Sequence, residues 1–198
     1  MTSVANAVET LRLVTSKEPI AGLAQAFSRA GYELALVGGP VRDAFLGREV
    51  NDLDFTTSAR PDQIEKIVAP LAKATWDVGR EFGTIAAQIG EFRVEITTYR
   101  ADSYDGTSRK PEVVFGDTLE ADLFRRDFTM NAMSADPDGL VHDYFGGRED
   151  LRAGCVRFVG DPAARIAEDR LRLLRFWRFH ARYGRGARFT DRGAKPCV

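Results

Sequence analysis

Asp52 and Asp54 alternate with Leu53 and Phe55, the period of a strand that buries one face and turns the other toward a cleft. Both carboxylates then lie on the same side. At i and i+2 their Cα atoms stand about 7 Å apart, and two like charges at that spacing repel unless cations lie between them. A pair of divalent ions about 4 Å apart fits that geometry, which makes Mg²⁺ the expected cofactor. Taken alone, Asp-x-Asp more often marks a solvated loop at the end of a strand. The stretch before it reverses that balance. Leu34 to Val37 reads as a short apolar strand that stops at Gly38-Gly39, where the chain can take backbone angles closed to other residues and approach a ligand closely. Pro40 suits the first turn of a helix, so the amides after the glycines form a helix N-terminus that attracts phosphate. Arg42 follows as a mobile cation.

A second run, Arg125-Arg126-Asp127-Phe128-Thr129-Met130-Asn131-Ala132, offers arginine forks for phosphate oxygens, with Asp and Asn as partners for a ribose 2′-hydroxyl. By itself such a cluster is more often a helix-end salt bridge. In Phe92 to Tyr99, Val94 and Ile96 face one way while Arg93, Glu95 and Thr97 face the other, so Glu95 joins Asp52 and Asp54 if the strands are neighbours. An outward, solvated Glu is an equal reading. Further on, Glu168, Asp169, Arg172, Arg175 and Arg178 share or border one face of a helix, where a ladder of exposed ion pairs is the plain alternative.

The string Gly-Gly-x-Val-Arg-Asp from Gly38, a Leu-Gly turn, then Asp-x-Asp-Phe resembles the head of the class II nucleotidyltransferases. That family includes the CCA-adding tRNA nucleotidyltransferases and bacterial poly(A) polymerases. The resemblance spans about residues 30 to 183 and keeps four motifs in the family's order. It implies that Glu95 is the third carboxylate, since Glu95 to Arg100 matches the family's Glu-Val-Thr-Thr-Phe-Arg. It implies that Gly38, Gly39 and Arg42 flank the nucleotide, that Arg126 binds triphosphate, and that Asp127 recognises ribose with support from Asn131. Glu168, Asp169 and Arg172 match its nucleobase-reading Glu-Asp-x-x-Arg, followed by Arg175 and Arg178 as in Arg-x-x-Arg-x-x-Arg. A carboxylate accepts from the exocyclic amino group that cytosine and adenine share, and Arg donates to the ring nitrogen, so two side chains can do a template's work. Arg109, in the loop at 101 to 112, is a candidate substrate contact against the alternative of a plain surface loop.

The implied activity is template-independent addition of CCA to tRNA 3′ ends from CTP and ATP, with Mg²⁺ as cofactor and release of pyrophosphate. Poly(A) polymerase is the runner-up, although Glu81 departs from the more basic pattern of that branch. A rival of another class is a nucleotide-binding module without turnover, because family members continue for about as many residues again, as helical neck, body and tail domains that hold tRNA.

The expected scaffold is α/β: a polymerase-beta-like, mostly antiparallel mixed sheet with flanking helices over residues 20–145. A hinge and the start of a truncated helical neck follow over 146–183, with an irregular end at 184–198. Two helices precede the first strand, broken near Ser16 and Pro19. Ala59 to Asp62 opens another helix, with Ile64, Ile67, Val68 and Leu71 on one face. Trp76 to Val78 begins a sheet segment, and Phe82 to Tyr99 forms a hairpin about Gly90-Glu91. Met133 to Ala135 and Leu140 to Asp143 pair as strands, with His142 structural. Asp161-Pro162 caps one long helix to about Tyr183, its apolar stripe Ile166, Leu173, Leu174, Trp177 and Ala181.

Composition sets the outer bounds. A 198-residue chain that is 44% hydrophobic and 29% charged has the makings of an ordinary globular core. The net charge of −1 means that RNA must be met by local basic clusters, and nine Arg against three acids between Arg165 and Arg192 make one. Cys155 and Cys197 lack metal-ligand spacing and are expected as free thiols in a reducing, cytoplasmic setting. No run is long enough for a membrane span and none resembles a signal peptide.

Overall fold

The computed structural model describes residues 2–50, 52–101 and 114–184. Helices α1 (Val4–Ser16) and α2 (Ile20–Arg29) lead into β1 (Leu34–Val37), α3 (Gly39–Phe45), β2 (Leu53–Thr57), α4 (Pro61–Val68), β3 (Ala72–Trp76), β4 (Thr84–Ile89) and β5 (Phe92–Thr98). Then follow α5 (Leu119–Phe124), β6 (Ser134–Ala135), β7 (Val141–His142), α6 (Gly147–Ala153), α7 (Pro162–Glu168) and α8 (Leu171–Tyr183). The seven strands form one sheet in the order β3-β4-β5-β2-β1-β6-β7. Only β2 and β5 pair in parallel, so the sheet is mixed and mostly antiparallel, with helices flanking it, as the sequence led us to expect.

One face of the sheet is the floor of the main core. Leu34 and Leu36, Leu53 and Phe55, Val94 and Ile96, and Ile85, Ala87 and Ile89 pack there with Leu23 and Phe27 of α2 and Ile64 and Val68 of α4. The alternating residues point the other way. Over β1 that second face is covered by α5, where Leu123 packs with Val37, Ala132 and Val159. Over β5, β4 and β3 it carries the exposed Glu95, Arg93 and Trp76 instead.

Several local expectations are corrected. β3 ends at Trp76 rather than beginning there, and Phe82 belongs to a 3₁₀ turn (Arg80–Phe82) before β4. The long helix expected from Asp161 to Tyr183 is two helices that break at Asp169 and Arg170. Asp161 caps α7 by accepting the Ala164 N–H at 2.8 Å, but Asp169 leaves helical geometry (φ −147°, ψ 106°) and its Oδ1 accepts the Leu171 N–H at 3.0 Å. An Asp side chain that caps the next turn competes with helix continuation. Most of the stripe is also reversed, although Ile166 packs against the core as expected. Leu173, Leu174 and Trp177 are exposed and Ala181 faces outward, while α8 buries Arg172, Phe176 and Tyr183. Cys155 is buried and disulfide-bonded, not the free thiol expected. Of the loop expected over 101 to 112, the residues from 102 on, Arg109 included, lie outside the described residues, as do Cys197 and the end from 185 onward.

Candidate active site

The parallel register of β2 and β5 pairs Asp54 with Glu95, which puts both side chains on the open face of the sheet. Their neighbours Leu53, Phe55, Val94 and Ile96 anchor the strands in the core. Asp52 stands just before β2 and is exposed. Solvent reaches Asp54 across the sheet, yet protein atoms crowd it enough that burial is the largest cause raising its carboxyl above the ordinary range. The charges of Glu95 and then Asp52 raise it further, and Arg126 works against them. Three acids therefore repel one another around Asp54, with Arg93 Nη2 3.6 Å from Glu95 as a weak counter-charge.

Among the described residues no group of three or more His, Cys, Asp or Glu side chains is gathered closely enough to cage a metal ion. Mg²⁺ does not need a cage. It is usually held by one or two carboxylates, with substrate phosphates and waters completing its shell. Hard oxygen donors whose mutual repulsion raises a carboxyl pKa are the donor set that such an ion relieves, and Asp52 and Asp54 fit it.

Beside the acids, Gly38 links β1 to α3 with φ 73° and ψ −114°, a conformation L side chains rarely adopt. Its N–H donates to the Met133 carbonyl at 2.9 Å. A Cβ there would come within 3.2 Å of Arg126 Nη1 and 3.5 Å of the Asn131 carbonyl, so the bend and the arginine need the same small space. Gly39 opens α3, with Pro40 in its first turn. Arg126 Nη2 donates to Asp122 Oδ2 at 3.3 Å, while its buried Nε has no partner among the described residues. Burial, then the neighbouring charge of Arg125, lowers the Arg126 pKa, and Asp122 and Asp127 oppose this. A guanidinium whose Nη1 lies beside a glycine bend is a place for an anionic oxygen.

Asp122 is a residue that sequence reasoning missed. It is fully buried. Its Oδ1 accepts from Arg125 Nε at 2.9 Å and Arg100 N at 3.2 Å, and its Oδ2 accepts from Thr56 Oγ1 at 3.0 Å besides Arg126. The nearby arginines hold its carboxyl below the ordinary range in spite of burial, which by itself raises it. Thr56 follows Asp54 by two residues on β2, so Asp122 ties the acidic strand to the arginine pair. The signal was its spacing, three and four residues before Arg125 and Arg126 on a helical turn.

Four of the expected nucleotide contacts form one network. Arg42 donates through Nε and Nη2 to both oxygens of Asp43 at 3.0 Å and through Nη1 to Asn131 Oδ1 at 2.8 Å. Asn131 Nδ2 donates to Asp127 Oδ1 at 3.0 Å, and Arg175 Nε donates to Asp127 Oδ2 at 2.7 Å. Arg42 is thus not the mobile cation expected. It is buried, with its guanidinium 4.9 Å from the Tyr183 ring centre and 5.6 Å from that of Phe179. Arg175 and Arg178 lie 5.5 and 5.3 Å from the same Phe179 ring, and Arg178 is exposed.

Asp169 and Arg172 have different partners. Arg172 is buried and donates to Glu168, to the Arg165 carbonyl at 3.2 Å and to the Arg125 carbonyl at 3.3 Å, while Asp169 caps α8. Arg165 is also buried, donating to the Val159 carbonyl at 2.8 Å, to Glu168 at 2.9 Å and to the Phe124 carbonyl. A cavity of about 910 Å³ lies away from all these residues, lined by Glu33, Tyr99, Asp136 and His142. The acids themselves sit on an open shelf.

A mixed sheet bearing paired acids beside a glycine bend defines the class, and residues 34–157 match the poly A polymerase head domain. The chain belongs to that family. It is 43% identical over 155 residues to the CCA-adding enzyme of Bacillus pumilus, covering 78% of this chain and 38% of the relative. It is 45% identical over 156 residues to that of Bacillus subtilis, with the same coverage. The crystal structure of the Bacillus stearothermophilus CCA-adding enzyme in complex with CTP superposes with a TM-score of 0.73 at 40% identity, over 83% of this chain and 39% of that one. A tRNA nucleotidyltransferase complexed with a primer tRNA and an incoming ATP analog gives 0.68 at 34% identity, over 81% and 44%. The chain therefore spans about two fifths of the length of these relatives. No helix among the described residues is long and apolar enough to cross a membrane.

Proposed function

We propose that this chain is the catalytic head of a template-independent tRNA nucleotidyltransferase that builds CCA on a tRNA 3′ end from CTP and ATP, releasing pyrophosphate. The observation that carries the reading is the Asp54–Glu95 register, with Asp52 beside it and the Gly38 bend at the end of β1 against Arg126. Asp52 and Asp54 would hold Mg²⁺, which when bound activates the attacking hydroxyl and neutralises triphosphate charge. Glu95 orients or deprotonates the RNA 3′-hydroxyl from the adjacent strand. Arg126, whose Nη1 lies at the glycine bend, meets the triphosphate, and the Gly38-Gly39 backbone keeps the approach clear. Asp127 and Asn131, fixed by Arg42 and Arg175, meet the ribose.

Nucleobase selection falls to Asp169 and Arg172, on the strength of their motif spacing, with Arg175 and Arg178 on the same helix. Residues 20–145 then act as the head and 146–183 as hinge and neck, in the cytoplasm where tRNA is matured. The family match itself favours one second reading, a poly(A) polymerase using ATP. Incubation with CTP, ATP, Mg²⁺ and a tRNA lacking its terminal CCA separates the cases. Addition of two C and then A supports the proposal, and an A tail supports the second reading. Nucleotide binding without extension leaves a binding module, in keeping with the short span relative to the CCA-adding enzymes.

A further inference from the structure

We infer that Trp76 is a stacking platform for the single-stranded 3′ end of the RNA acceptor, a role that rests on the nucleotidyl-transfer reading above. The sheet register puts it there. Asp54 pairs with Glu95, Glu95 with Ala86, and Ala86 with Trp76, so the four side chains form one cross-strand row on the open face. The residue between Glu95 and Trp76 is only an alanine, which leaves the way across low. Trp76 is 41% exposed, so its ring is open to a ligand on this face of the sheet. Arg93, on the same face two residues before Glu95, has its guanidinium 5.5 Å from the Trp76 ring centre.

The chemistry of displacement selects the occupant. An attacking oxygen and a leaving pyrophosphate stand on opposite sides of the phosphorus. Gly38 and Arg126 occupy the β1 side of β2, so the triphosphate lies there and the attacking 3′-hydroxyl arrives from the β5-β4-β3 side. At about 4.8 Å between strands, Trp76 is roughly 14 Å from Asp54, a span that the last nucleotides of an RNA strand bridge. An unpaired end presents free base faces, which stack on aromatic rings with little regard to sequence, and a neighbouring arginine meets the backbone phosphate. Trp76 and Arg93 supply both.

The sequence holds two tryptophans, so in the full chain carrying Trp177→Phe the emission reports Trp76 alone. Titration with a short single-stranded oligoribonucleotide ending in a 3′-hydroxyl is expected to quench it saturably. In the extension assay Trp76→Ala raises KM for RNA about tenfold with KM for CTP unchanged, and Trp76→Phe restores most of the loss. Unquenched emission at RNA concentrations that saturate extension, or a rise in KM for CTP in place of that for RNA, overturns the platform. Quenching without any extension by the parent chain removes the reaction and leaves the stacking surface standing. Extension without quenching does the reverse.

Discussion

The acidic shelf of β2 and β5 and the arginine-rich helices α7 and α8 handle charge in opposite ways. On the shelf, like charges are left together, and the raised Asp54 carboxyl records the cost. In α7 and α8, by contrast, the buried Arg165 and Arg172 converge on Glu168 and on backbone carbonyls. A region that stores repulsion is set up for a ligand of opposite charge. One that satisfies its charges internally is already at rest, and any ligand it meets must displace or extend an existing partner.

The largest effect expected from breaking this contrast is at Asp54. Asp54→Asn is expected to lower nucleotide incorporation by about 10³-fold while raising the melting temperature. The sign follows from linkage. The folded chain binds the Asp54 proton more tightly than the unfolded chain, so stability falls as pH rises from the unfolded pKa to the folded one, and the penalty is complete above it. Solvent screening keeps the gain on substitution below about 1 kcal/mol. Single-turnover incorporation and a thermal melt at neutral pH check both halves, and loss of activity with a lower melting temperature would contradict the stored repulsion.

Asp122 carries the opposite sign. Its carboxyl is depressed, so its contribution is present above the unfolded pKa and is lost as pH falls through the folded value. Asp122→Asn leaves Arg125 and Arg126 facing a neutral amide in a buried site and is expected to cost about 3 kcal/mol, read as a shift in the denaturant midpoint at pH 7. The shift should shrink when the same pair of chains is compared in acid. A pH-independent difference would assign the loss to packing rather than charge.

Gly38→Ala should act between the two regions. The positive φ and the 3.2 Å approach to Arg126 together predict a cost of about 1–2 kcal/mol and a raised KM for the nucleoside triphosphate, with KM for RNA unmoved. Equal changes in the two KM values would place the bend outside the triphosphate side.

What could be read from the chain follows the same division. The alternation of Leu53 and Phe55 with the aspartates, and of Val94 and Ile96 with Glu95, is a period-two signal that strand pairing preserves. The glycine bend is equally local, because positive φ selects glycine. The fate of the arginines was not legible. Helical spacing assigned the apolar stripe of α8 to Leu173, Leu174 and Trp177, but the buried face is built on Arg172, whose stem packs while its head bonds carbonyls of distant residues. Likewise nothing local to Arg42 announces Asn131 or Tyr183. The break at Asp169 turns on one hydrogen bond, from the Leu171 N–H, and an i, i+4 pair such as Glu168–Arg172 reads the same whether or not the helix is continuous.

The smallest expected effect tests whether α8 is as settled as its bonds suggest. Arg175 is joined to buried Asp127, whereas among the described residues Arg178 meets only the Phe179 ring. Arg175→Ala removes the counter-charge of a buried acid and should cost about 1–2 kcal/mol. Arg178→Ala should change stability by less than about 0.5 kcal/mol, because an exposed guanidinium over a ring loses little on return to water. If a nucleotide or an RNA phosphate is the partner that Arg178 awaits, the same substitution raises a KM while the melting temperature holds. Melting temperatures lowered equally by the two substitutions would mean that Arg178 is already committed to the fold, and the division between a satisfied Arg175 and an available Arg178 would fail.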